Sequence, residues 1–302
     1  MPNARDAILS PLHKILVVGS GASGKTSLAW TLPGKKFAFL FDPAAIESIV
    51  GADIEYEEFL AGPGETDMTL KGFNKNAKPD DKPARAVEPK VFVNWERNWN
   101  EKVTDGYFDK NGIDWIIFDS ITYLVSSMMD RQLWINNRFG GLEEQADYRV
   151  VGNKLTEVFK SITSMKKNLY CTGHLTTYQD EKTKKISTQL DMPGKSRRQI
   201  PLMFSNIWEA RPTTEDKQEH VILTKSDPRG FQEIRSSLQG LKPVENVEIK
   251  DFNKPQDYGI GRLLREAKPR TSNPIGNRSS APTASSATVP ASGQAPAAIT
   301  KT

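Results

Sequence analysis

Gly19-Ser20-Gly21-Ala22-Ser23-Gly24-Lys25-Thr26 places two glycines around four residues and follows the second with Lys and Thr. Ile15, Leu16, Val17 and Val18 come just before, a short apolar, largely β-branched run suited to a parallel strand buried on both faces. Thr26 to Leu32 then continues as a helix until Pro33-Gly34 stops it. Strand, glycine-rich turn and helix in that order form the setting in which this spacing cradles phosphate. Glycine at 19, 21 and 24 lets successive N–H groups turn inward around an anion, and the helix N-terminus adds positive potential. In such a loop, residues 19–27, with Ser20, Ala22, Ser23 and Ser27 included, line a nucleotide. Lys25 holds the β- and γ-phosphates, and the Thr26 hydroxyl is a magnesium ligand.

The chain has 302 residues, 37% hydrophobic and 26% charged, with a formal net charge of +4. That is enough for one large α/β domain or two small ones. A mild basic excess says little by itself; where the charge lies matters more. Cys171 is the single cysteine, which excludes an internal disulfide and a multi-cysteine zinc site and fits a reducing cytoplasm. It falls in an apolar strand and reads as a small core residue. No stretch has the apolar length to span a membrane, and no signal-peptide pattern opens the chain, so the expectation is a cytoplasmic protein without a membrane partner.

Lys36 to Phe41 reads as a second strand, ending at Asp42-Pro43, and a helical patch that includes Glu47 follows. Residues 54–59 suggest a short strand. Residues 62–89 are rich in Gly, Pro, Lys and Asp and read as a long exposed insertion. Residues 91–103 form a helix whose Trp95 and Trp99, four apart, mark a core-facing stripe. The next strand, Asp114 to Asp119, ends its apolar run in an acid, which places Asp119 beside the P-loop to hold magnesium through water. Helices are expected over 121–139 and 143–167. A fourth strand, 169–174, ends at His174, which would point into the ligand crevice and meet the γ-phosphate or the attacking water. Residues 176–201 are polar and basic and should be mobile without a partner; Lys182, Lys184, Lys185, Lys195, Arg197 and Arg198 could reach DNA phosphates there. A β-hairpin around 204–225 extends the sheet, and a last helix covers 260–267. The expected division is an ATPase domain over 1–266 and a disordered low-complexity tail over 267–302.

Taken together, these residues resemble the phage-encoded RecA-like P-loop ATPases of the single-strand annealing and recombination type. The resemblance spans about 12–250 and rests on the P-loop, Asp119-Ser120, Asp147-Tyr148, Thr172-Gly173-His174 and Ile200-Pro201. It implies an α/β fold, a RecA-like P-loop NTPase core with a mainly parallel sheet flanked by helices, that binds ATP and Mg2+. It implies ATP hydrolysis, action on single-stranded DNA in phage recombination or replication, a single-strand-binding protein as companion, and a homo-oligomer. By that analogy His174 is the γ-phosphate sensor and 176–200 the second DNA-binding loop. Lys195, Arg197 or Arg235 would be the finger for a neighbouring subunit's ATP. The family usually carries a catalytic glutamate near the end of the second strand. Here Phe41-Asp42-Pro43 stands at that place and the nearest glutamate is Glu47, so either Asp42 or Glu47 polarises the water. The same P-loop also suits a nucleotide-switched DNA-binding module without turnover, or a small-molecule kinase with Arg197 and Arg198 in its lid.

Overall fold

The computed structural model describes residues 12–62, 88–138, 141–179, 184, 186–213, 219–226 and 231–267. The expected insertion, except for its ends, and the expected tail, except for Ala267, lie outside these residues.

The all-apolar run before the glycine loop forms β1 (Lys14–Gly19), whose residues 15–18 are fully buried. A strand buried this way needs a parallel neighbour on each side and a layer on each face. β5 (Asn168–Gln179) pairs with it on one side and β7 (Asn206–Pro212) on the other, both parallel. Beyond β5 come β4 (Trp115–Asp119), β2 (Lys36–Leu40) and β3 (Glu55–Glu58), again parallel. Beyond β7 come β8 (His220–Leu223) and β9 (Val244–Asn246), antiparallel, so the expected hairpin extension is present. The sheet order is β3-β2-β4-β5-β1-β7-β8-β9, with β6 (Ile186–Leu190) paired to the outer half of β5.

Alternation along the strands divides the core into two layers. Leu16, Val18, Phe39, Phe118 and Cys171 face one layer, covered by α2 (Val91–Thr104), α4 (Ile121–Ile135) and α5 (Gln145–Ser164). Trp95 and Trp99 of α2 are buried here, ringed by Phe39, Phe118 and Phe108 of α3 (Tyr107–Lys110). α5 buries Val151, Leu155, Val158, Phe159 and Ile162, an i, i+4, i+7 stripe. Its start is fixed by Asp147, whose carboxylate accepts the Glu144 N–H at 2.9 Å and an Arg138 N–H at 2.6 Å. Ile15, Val17, Ile117 and Tyr170 face the other layer, which holds the turn after the P-loop, α1 (Ala45–Ile49) and α7 (Gly259–Glu266).

Two expectations change. The helix after the P-loop is a single 3-10 stretch, Ser27–Thr31. The Thr31 hydroxyl donates to Leu28 O at 2.7 Å and accepts the Ile260 N–H at 2.9 Å, and Leu32 then turns extended ahead of Pro33. The described residues of the polar segment over 176–201 are built structure rather than a free loop. β5 continues to Gln179 and pairs with β6, α6 (Ser196–Gln199) follows, and Leu190, Met192, Ser196 and Ile200 are buried. Those few anchors, hidden by a polar average composition, suffice to pin the segment to α4 and α5.

Candidate functional site

The site lies at the C-terminal edge of the parallel strands, where β1 gives way to the glycine loop. Gly19 is obligatory there: a Cβ would come within 2.5 Å of Ala210 O and 2.6 Å of Ser23 Oγ. Gly24 adopts φ +81° and Ala22 φ +56°, the left-handed turns that bring loop N–H groups round to one side. Ser20, Gly21 and Ala22 form an exposed tip, while Ser23 and Lys25 are buried. Lys25 Nζ folds back onto its own loop, donating to Ser20 O (2.6 Å), Gly19 O (3.1 Å) and Ser23 Oγ (3.2 Å). Burial lowers its pKa to about 8 against the opposing pull of Asp119 and Asp42.

Asp119 ends β4. β5 stands between that strand and β1, so the two motifs are not on adjacent strands. β5 supplies the missing contact: the Thr172 hydroxyl donates to Asp119 Oδ1. The Thr26 hydroxyl also faces this carboxylate, and Asp119 Oδ2 is buried with no hydrogen-bond partner among the described residues. Burial pushes the Asp119 carboxyl up, while Thr172 and Thr26 hold it down. The Asp119–Ser120 peptide is cis, and Ser120 caps α4 by accepting the Tyr123 N–H.

Asp42 joins the group through its backbone: the N–H groups of Phe41 and Asp42 both reach Asp119 O. Its carboxylate Oδ2 lies 3.6 Å from His174 Nε2. Burial, then the nearby Lys25, lowers the His174 pKa, with Asp42 opposing, so this imidazole is neutral at pH 7. Thr122 Oγ1 accepts the His174 N–H at 3.0 Å. Glu47 is exposed on α1 and enters none of the charge interactions of Lys25, Asp119 or His174. Of the two carboxylates considered for the water, the structure brings only Asp42 to the site.

The remaining residues divide. Lys195 and Arg198 are exposed on the α6 segment; Arg197 is half-buried and donates to Gln189 Oε1 (2.7 Å) and Gly194 O (3.1 Å). Lys184 is exposed, while Lys182 and Lys185 lie outside the described residues. Arg235 is tied to its own chain. Its guanidinium donates to Phe204 O (2.6 Å) and Pro201 O (2.9 Å), and its backbone bridges Ile207, which is level with Leu16 and short of the loop. Sequence reasoning assigned no role to Thr172 or to Tyr170, whose hydroxyl donates to Lys25 O at 2.5 Å. The period of two along β5 was the available signal: 170, 172 and 174 share one face.

The site also fits magnesium. Among the described residues no cluster of three or more His, Cys, Asp or Glu could hold a metal alone. The Thr26 hydroxyl and the partnerless Asp119 Oδ2 are hard oxygen donors, suited to a cation that takes its other ligands from phosphate and water.

A mainly parallel α/β sheet with a glycine-rich loop after one strand and a buried acid ending another defines a nucleotide-binding domain of the P-loop class. Residues 13–236 match the sequence model of a family described as AAA domain, and the chain belongs to that family. No curated protein shows significant similarity to it. Among solved structures it is similar to a KaiC-like protein of Pyrococcus horikoshii OT3, at 13% identity, TM-score 0.41, covering 81% of this chain and 87% of that one. It is also similar to the flagellar accessory protein FlaH of Methanocaldococcus jannaschii, at 14% identity, TM-score 0.37, with 79% and 87% covered. Among the described residues no helix is long and apolar enough to cross a membrane.

Proposed function

We propose that the chain hydrolyses ATP and couples hydrolysis to single-stranded DNA. The observation that carries the ATPase reading is the convergence of Lys25, Thr26, Asp119, Thr172, Asp42 and His174 on one strand edge. ATP with magnesium supplies the transferable phosphoryl group and the cation that neutralises it. The loop's backbone N–H groups and the Lys25 ammonium bind and orient the phosphates. Thr26 and Asp119 present oxygens to the cation, and Thr172 keeps Asp119 in position. Asp42 Oδ2 accepts the proton of the attacking water, and neutral His174 donates from its ring to the terminal phosphate side.

The DNA reading draws on the exposed Lys195 and Arg198, which lie on the segment following β5 and β6, and on the family resemblance. That resemblance also supports a place in phage recombination or replication, work inside the host cytoplasm, a single-strand-binding protein as companion and a homo-oligomeric state. The test is the ATPase rate with and without single-stranded DNA at two salt concentrations. A DNA-stimulated rate that fades with salt is expected. A rate indifferent to DNA refutes the coupling, and a Lys25→Ala variant that turns over at the normal rate refutes the ATPase assignment.

A further inference from the structure

The glycine loop has a second neighbour, on the flank away from Asp119. A Cβ at Gly24 would stand 3.1 Å from His220 Nδ1, 3.2 Å from Cγ and 3.4 Å from Cδ2, so the imidazole lies directly against the loop. His220 opens β8 and is paired with Pro212 of β7. Its main chain is fixed: the N–H donates to Glu248 Oε2 at 3.0 Å, and the C=O accepts the Val247 N–H at 2.9 Å. Two residues on, Ile222 packs in the layer that contains Leu28 and Ile15, so His220 faces the side of the sheet that carries the P-loop turn. Its Nδ1 is buried and has no hydrogen-bond partner among the described residues. A rigidly mounted, buried imidazole nitrogen left unpaired is costly unless a ligand pairs it.

The side of the loop matters. Asp119, Thr172, His174 and Asp42 all stand on the β5, β4 and β2 flank of β1, whereas His220 stands beyond β7. A triphosphate whose terminal phosphate meets the first group directs its nucleoside towards the second. We infer that His220 is a specificity-determining contact: its Nδ1 pairs with a ribose hydroxyl, so that the loop distinguishes a nucleoside triphosphate from bare tripolyphosphate. This rests on the reading of the loop as an ATP site.

The test is calorimetric binding of ATP, 2′,3′-dideoxy-ATP and inorganic tripolyphosphate, each with magnesium, to the full chain and its variants. His220→Ala should weaken ATP about tenfold, or about 1.4 kcal/mol, and abolish the preference for ATP over the dideoxy form. Tripolyphosphate should bind as before, which also reports an intact loop. His220→Gln, which keeps a hydrogen-bonding group, should recover much of the ATP affinity. Equal losses for ATP and tripolyphosphate, or no loss for either, would overturn the assignment to His220. Lys25→Ala separates the two levels: it should lose all three ligands, and its retention of them would sink the ATP-site reading itself.

Discussion

Replacing Lys25 by methionine should stabilise the unliganded protein while removing its hold on phosphate. Lys25 is 6% exposed, and its ammonium is held by loop oxygens rather than by a carboxylate. Burial takes its pKa from 10.5 to about 8. At about 1.36 kcal/mol per pH unit, the folded chain carries a cost of about 3 kcal/mol for this charge at pH 7. The folded pKa lies below the unfolded one, so between about 8 and 10.5 the unfolded chain binds more protons and stability rises with pH. Below pH 8 the full cost is present. Methionine follows the lysine stem without the charge, and the freed Ser20 carbonyl sits at an exposed position where water can reach it. After allowance for the lost loop hydrogen bonds, the gain at pH 7 should be about 1–3 kcal/mol. It should shrink as pH rises from 8 towards 10.5. Urea denaturation of both proteins without nucleotide, at pH 7 and pH 10, measures it; ATP titration monitors the lost binding. A variant less stable than the parent at pH 7, or a gap that widens with pH, refutes the reasoning.

Gly19→Ala drives a Cβ onto Ala210 O and Ser23 Oγ, and should lower stability by about 1–3 kcal/mol with loss of ATP affinity, read by urea melts and calorimetry. Asp119→Asn keeps the shape and removes the buried charge, so ATP affinities with and without Mg2+ should converge, with a loss of about tenfold when magnesium is present. Trp99→Ala opens the aromatic core between α2 and the sheet and should cost about 3–5 kcal/mol in the same melts. The Glu144 N–H, then Arg138, Gln132 and Asn136, hold the Asp147 carboxyl below its ordinary pKa. Its contribution is therefore present above about pH 4 and lost as pH falls through the folded value. Asp147→Asn should flatten the acid limb of a stability–pH curve relative to the parent.

The strands that build the site could be read in advance because burial on both faces leaves a continuous apolar run, as at 15–18 and 115–118. Trp95 and Trp99 announced their side of α2 by spacing alone. Strand order was not legible: a parallel sheet joins its strands by crossovers, and nothing local to β5 says that it slides between β1 and β4. The hairpin of β5 and β6 was hidden because four buried positions among many polar ones leave no periodicity. The charge of Arg235 was legible, but its bonds to the carbonyls at 201 and 204 were not. His220 lies so far along the chain from Gly24 that only folding brings them together.

β5 is bonded to β1 from Leu169 to His174 and to β4 from Asn168 to Cys171, and past His174 it continues to Gln179 with β6 alone beside it. Its outer half is therefore held through β6, which Leu190 anchors in the core and which bridges buried Phe231 at Thr188. The pairing with β1 ends where Thr172 steadies Asp119 and His174 faces Asp42. The same strand thus links a two-stranded ribbon outside the parallel sheet to the stretch that carries Thr172 and His174, so a change in the pairing of β5 with β6 falls within a few residues of the contacts with Asp119 and Asp42.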